Sequence, residues 1–171
     1  MIIVMSDSHT ETAVIAAIKA HYPNASAIIH CGDSELPKNS TLWQGVSVVA
    51  GNCDYDTAYN DFEVLTAENK RVLVTHGHLF NVGYGLDELA AFAQEKRANI
   101  ALFGHLHRPI VALKKGVLLL NPGSVAQPRG KEFPLKMYAT ISVSADSYTI
   151  SYKTLVHQEI PELQFTVGVT A

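Results

Sequence analysis

Seven side chains of this sequence are of types that bind divalent cations, and they fall in five short segments. They are Asp7 and His9, Asp33, Asn52, His76, and His105 with His107. Carboxylate, amide and imidazole groups together suit intermediate ions such as manganese, iron or zinc better than a soft thiolate site would. Seven donors exceed one tetrahedral zinc and are about right for two ions that share a bridge. A carboxylate can hold two cations through its two oxygens while easing their repulsion. Asp33, in Cys31-Gly32-Asp33, is the best candidate for that bridge. At a strand end, side chains at i and i+2 point the same way. Asp7-x-His9 and His105-x-His107 would then each aim two donors at one place.

Each segment also has an ordinary reading. Asp-x-His after a strand is most often a turn or a helix cap, and His-x-His alone is an even choice between ligand pair and incidental polarity. His76 and His78 could simply precede a helix that begins near residues 83–85. Gly32-Asp33 and Gly51-Asn52 could be loop dipeptides. Joint occurrence favours chemistry: five strand-end loops all supply metal-compatible groups.

Short apolar runs precede these loops: IIVM (2–5), AIIH (27–30), VSVVA (46–50), RVLVT (71–75) and NIALF (99–103). Unbroken runs rich in Val, Ile and Leu predict strands buried on both faces. Between them, residues 12–20 place Val14, Ile15 and Ile18 on one helical stripe. Residues 85–97 place Leu86, Leu89, Ala90 and Ala93 on another, closing with Lys96 and Arg97 where the helix dipole favours cations. The alternation predicts an α/β domain with largely parallel pairing. In open sheets of that kind, sites form beyond the carboxyl ends of the strands, so the five loops can converge.

The second half changes character. Residues 111–121 read as two strands around Lys114-Lys115-Gly116. Residues 136–153 alternate, with Met137, Ala139, Ile141 and Val143 on one face and a hairpin turn at 145–147. A β-rich C-terminal half packed on the α/β half is expected, within a single domain over 1–171. The tail after Pro161 carries no clear pattern.

Composition narrows the partners. The chain has 171 residues, 47% hydrophobic and 17% charged, with a formal charge of −3. That balance disfavours a stable grip on a long nucleic acid. The N-terminal segment has no basic leader, and no apolar run approaches the roughly 20 residues that span a bilayer, so no membrane partner is expected. Two cysteines, Cys31 and Cys53, read as reduced thiols of a cytoplasmic protein.

The ordered set DSH (7–9), GD (32–33), GNCD (51–54), HGH (76–78) and GHLH (104–107) resembles the calcineurin-like metallophosphoesterase superfamily. More narrowly, it resembles the small single-domain bacterial and archaeal phosphodiesterases. The likeness extends through NPGS (121–124) to Pro128-Arg129. It implies a four-layer αββα sandwich, with two central mixed sheets flanked by helices and a dinuclear centre at their edge. Carried over residue by residue, Asp7, His9 and His107 would hold one ion. Asn52, His76 and His105 would hold the other, with Asp33 between them. Manganese is the first choice, with iron, zinc or nickel allowed. The implied reaction is hydrolysis of a small phosphate ester by a water shared between the ions, with Asn52 also contacting the phosphate.

One departure stands at Cys53. Many phosphatases of the wider superfamily carry a histidine there that protonates the leaving group. A thiol with a pKa near 8.5 is a poorer acid–base group at neutral pH. His78 is the remaining candidate donor, and esters with good leaving groups are expected to react best. Asp54 and His30 could orient ligands, and Ser124 or Arg129 could contact substrate. A homo-oligomer is compatible with the β-rich half. The competing class is a non-catalytic metal-binding scaffold on the same fold.

Overall fold

Ile2–Met5 (β1) is an unbroken apolar run, and all four residues are fully buried in the computed structural model, which describes residues 1–130 and 134–169. A strand so buried needs cover on both faces. The chain continues through α1 (Thr12–His21), β2 (Ala27–His30), β3 (Ser47–Val48), β4 (Phe62–Ala67), β5 (Lys70–Thr75), α2 (Asp87–Glu95) and β6 (Ile100–Leu102). It ends with β7 (Pro109–Lys114), β8 (Val117–Pro122), β9 (Met137–Val143), β10 (Ser147–Thr154) and β11 (Glu159–Gly168). One sheet has the order β11-β10-β9-β1-β2-β3, and the other β4-β5-β6-β8-β7.

Three apolar clusters make the expected four layers. Between the sheets lie Val4, Ile29, Val72, Val74, Leu102, Leu118, Leu120, Met137, Ala139, Ile141 and Ile150. Ile15 and Ile18 of α1 cover Ile3, Met5 and Tyr138 on the outer face of the first sheet. Leu89, Ala90 and Ala93 of α2 cover Leu73, Ala101, Phe103 and Leu119 on the outer face of the second. Each fully buried Leu or Ile contributes roughly 1.5–3 kcal/mol. The stripes expected of the two helices are thus the faces that pack.

Pairing is mixed rather than largely parallel. β1, β2 and β3 run parallel, as do β5, β6 and β8. β9, β10, β4 and β7 pair antiparallel. The C-terminal half is not a separate layer packed on the first. β9 pairs with β1 and extends the first sheet, while β8 joins β6 in the second. The face expected of Met137, Ala139 and Ile141 is the one between the sheets.

Three boundaries also differ. β4 had no counterpart in the sequence reading, because Phe62, Val64 and Leu65 are only partly covered there. α2 ends at Glu95, and Arg97 takes a left-handed backbone at φ 54°, so the two basic residues fall just outside the helix. The patternless tail forms β11, a ten-residue strand with half-exposed sides. Elsewhere the turns match expectation: Lys115 and Gly116 both have positive φ, as a tight hairpin between β7 and β8 requires. Among the described residues, no helix is long and apolar enough to cross a membrane.

Candidate metal centre

The loops that follow β1, β2, β3, β5 and β6 meet at one edge of the paired sheets. His107 Nε2 lies 3.0 Å from Asp7 Oδ1, and His9 Nε2 lies 3.5 Å from His107 Nε2. Donor atoms of Asp7, His9, Asp33 and His107 all fall within 4.8 Å of one another. A second set adjoins the first. Asn52 Oδ1 is 2.8 Å from His105 Nδ1 and 3.1 Å from His76 Nε2. Asp33 Oδ2 is 3.3 Å from that same His76 nitrogen. Asp33 is therefore common to both sets, and all seven expected donors are brought together.

The ordinary readings are not what the chain adopts. Glu11, rather than Asp7 or His9, occupies the cap position of α1. The helix after His76 begins only at Asp87, beyond a short 3-10 turn at His78–Phe80. The extended i, i+2 geometry expected of the two pairs is also absent. Asp7, His9, Asp33, His105 and His107 have φ of 54°, 41°, 55°, 68° and 55°. Left-handed backbone at such residues costs on the order of 1–3 kcal/mol each and clusters at functional sites. Asp and His tolerate it better than β-branched residues do.

Glycines let the loops close on one another. A Cβ on Gly51 would lie 2.1 Å from Asp33 Oδ1, and one on Gly104 would lie 2.0 Å from Ser6 Oγ and 2.8 Å from Asp7 Oδ2. Asp54 ties the loops together. Its carboxylate accepts the backbone N–H groups of Asp33, Ser34, Glu35 and Gly51, and the Ser34 hydroxyl. It orients the backbone beneath the site, not an imidazole as the sequence allowed.

Three imidazoles have fixed tautomers. His76 Nδ1 donates to the Cys31 carbonyl at 2.8 Å and His107 Nδ1 to the Gln127 carbonyl at 2.6 Å. His9 Nδ1 faces Glu35 Oε1 at 2.6 Å. With Nδ1 of each ring facing these acceptors, Nε2 is turned toward the Asp7 and Asp33 carboxylates. Nitrogens and carboxylates facing each other call for positive charge between them, a proton or a metal ion. Burial pulls His76 down, yet the hydrogen bond to Asp33 and the charges of Asp7 and Asp33 hold it above its usual value. Burial pushes Asp33 up, but His76 and the Cys53 N–H outweigh it and keep Asp33 well below the usual carboxylate range. Asp7 Oδ2 is buried with no hydrogen-bond partner among the described residues. Mixed O and N donors, an orphaned carboxylate oxygen and oriented rings all fit divalent ions.

The secondary candidates separate. His78 stands beside the second set, its ring centroid 5.4 Å from His76 and 6.2 Å from His105. Burial and the neighbouring imidazoles push it below its usual value. His30 is fully buried, facing Ser8 Oγ at 2.9 Å and accepting the Gly32 N–H, so it is structural. Ser124 does not face a substrate: it is fully buried, donates to the Asp7 carbonyl and accepts from Ala126 and Gln127. The Arg129 side chain is exposed, and its backbone N–H donates to the His107 carbonyl. Both cysteines are free thiols. Glu35 escaped the sequence reading; its only signal was a carboxylate two residues beyond Asp33.

A family model of the calcineurin-like phosphoesterase superfamily domain matches residues 1–146. The probable metallophosphoesterase YsnB of Bacillus subtilis is 34% identical over 164 residues, covering 95% of this chain and 96% of that protein. The phosphodiesterase YfcE of Escherichia coli K12 is 33% identical over 93 residues, 50% of this chain and 47% of its own length. The crystal structure of a conserved Streptococcus pneumoniae protein, described there as a predicted phosphoesterase, superimposes with a TM-score of 0.94. It is 37% identical, covering 98% of this chain and 96% of that one. Fold, donor cluster and relatives together are those of the metallophosphoesterase family. The chain belongs to the calcineurin-like phosphoesterase superfamily.

Proposed function

We propose that the protein hydrolyses a small phosphodiester at a centre of two divalent ions held by the seven converging donors. The observation that carries this reading is the position of Asp33, shared between the Asp7–His9–His107 set and the Asn52–His76–His105 set. Ions held by these residues would supply an acidified water as nucleophile and positive charge against the phosphoryl oxygens. Manganese is the preferred ion, supported by a donor set without thiolate.

The chain's own groups do the rest. Asn52 is exposed, its Oδ1 faces the two histidines and its Nδ2 donates to Cys53 Sγ at 3.3 Å, so the second amide hydrogen is left to meet a phosphoryl oxygen at the mouth. Cys53 holds the place of the expected acid, and burial with the nearby Asp33 pushes its thiol up to about 11. It therefore stays protonated and gives up its proton poorly to a leaving alkoxide. His78 is the other candidate donor, but burial and the neighbouring imidazoles lower its pKa, which leaves it mostly neutral at pH 7. Esters with good leaving groups are the expected substrates. The free thiols support a reducing cytoplasmic compartment. Pro161 lies within the edge strand β11 and has no N–H to offer a further strand, which disfavours pairing between copies there.

The test combines metal analysis with turnover of an activated phosphodiester and its monoester, with and without manganese. Two ions per chain, and diester hydrolysis abolished in Asp33→Ala, are expected. No bound metal and no turnover with any divalent ion would leave the scaffold reading in its place.

A further inference from the structure

We propose that His9, Glu35 and Cys53 form a separate inhibitory site for a thiophilic cation, Zn2+ being the natural occupant. A ring nitrogen of His9, a Glu35 oxygen and Cys53 Sγ lie within 4.8 Å of one another, on the loops that follow β1, β2 and β3, and Nδ1 is the His9 nitrogen that faces Glu35, at 2.6 Å. A zinc ion bonds such N, O and S donors at about 2.0–2.3 Å and leaves a fourth position for water. Glu35 is exposed, and His9 and Cys53 are half-buried, so the ion has an open path from solvent. Asp33 and Asp54 add negative charge beside the sulfur. The Asp/Asn/His sets contain no sulfur, whereas this trio carries a soft donor and so favours zinc over manganese.

His9 makes the sites exclusive. At rest its Nδ1–H faces Glu35, and its Nε2 lone pair faces Asp7 and His107. A cation on Nδ1 requires that proton to move to Nε2, so the ring loses its donor toward the main centre. The histidine keeps its proton count, and the Cys53 thiol releases one proton to solvent as sulfur binds the ion. Zinc at this site thus removes one ligand from the Asp7 set. The inhibitory part of the proposal rests on the function proposed above; the binding part does not.

The test titrates manganese-loaded protein with Cd2+, a spectroscopic stand-in for zinc, and follows the thiolate-to-cadmium charge-transfer band in the ultraviolet. Wild type is expected to give the band at one equivalent. Cys53→Ser is expected to lose it, and Glu35→Gln to weaken cadmium affinity about 10- to 100-fold. Zinc inhibition of diester turnover is expected to weaken at least tenfold in Cys53→Ser. A band that persists in Cys53→Ser would place the thiolate at Cys31 and overturn the proposal, as would no band in wild type. A Cys53-dependent band in a protein with no turnover would support the site and sink the phosphodiesterase reading instead.

Discussion

The two oxygens of Asp33 have different neighbours: Oδ1 accepts the Cys53 backbone N–H at 2.7 Å, and Oδ2 lies 3.3 Å from His76 Nε2. Each oxygen has more than one lone-pair direction, so the N–H fixes the carboxylate without consuming it. Both donor sets then lean on one residue. Asp33→Asn removes the charge and one acceptor oxygen while keeping the shape. Metal content is expected to fall from two ions per chain to one or none, and diester turnover at least 100-fold. Metal analysis beside steady-state kinetics checks this. Two ions retained by the variant would show that Asp33 does not bridge.

Asp54 lies beneath the centre and accepts from four backbone N–H groups and one hydroxyl. Asp54→Asn keeps the volume but turns one acceptor oxygen into a donor that faces other donors. The cost is roughly 2–4 kcal/mol of stability, since hydrogen bonds to a charged group are the stronger kind. Denaturant unfolding is expected to show it. Metal affinity should also fall about 10- to 100-fold, because the Asp33 loop loses its anchor. An unchanged midpoint would mean that the loops hold their shape without this carboxylate.

Gly104 sits between β6 and His105, against Ser6 and Asp7. Gly104→Ala drives a methyl to 2.0 Å from Ser6 Oγ and 2.8 Å from Asp7 Oδ2. Both neighbours are fully buried, so relief must come from the loop itself. The expected result is a loss of on the order of 1–3 kcal/mol with weakened metal binding. Thermal melts with and without manganese separate the two effects, because bound metal adds stability only where the site survives. A variant stabilised by manganese as strongly as wild type would count against this packing.

The residues that converge were legible in the sequence because strand-end loops are read from composition, and Asp, Asn and His stood out after apolar runs. Their geometry was not. Left-handed backbone at Asp7, His9, Asp33, His105 and His107 is set by the close approach of five loops, which no local pattern encodes. The alternation of Met137, Ala139 and Ile141 gave the buried face, but not that β9 would pair with β1. Sheet order is decided by long-range pairing, and β4 shows the converse: half-exposed strands leave a weak periodic signal. Glu35 and Asp54 act through backbone N–H groups and one imidazole nitrogen, contacts visible only once the loops are in place.

Cys53 stands where the resemblance leads one to expect an imidazole acid. Cys53→His adds a ring beside Asn52, within reach of a leaving group at the mouth. A positioned general acid contributes about 10²–10⁴-fold where proton transfer limits the step. The variant is therefore expected to accelerate an alkyl phosphodiester at least tenfold and an activated aryl diester little. The ratio of the two kcat/KM values is the measurement. Equal change on both substrates would show that protonation of the leaving group is not what limits the wild type.

His30 gives the fold a pH dependence that can be separated from catalysis. Full burial is the largest influence and pushes the ring from 6.5 to about 4, against the pull of Asp7 and Asp54. The neutral ring is the one that fits, accepting the Gly32 N–H and facing Ser8. Because the folded value lies below the unfolded one, the unfolded chain binds the proton first. Stability is therefore complete above pH 6.5, declines as pH falls, and is fully lost for this group below about 4. The span corresponds to about 3 kcal/mol. His30→Gln has no such proton to bind. In urea unfolding of the metal-free protein, the advantage of wild type over His30→Gln is expected to shrink by about that amount between pH 7 and pH 4. A difference that stays constant over this range would show that His30 titrates alike in both states and that its burial does not govern its charge.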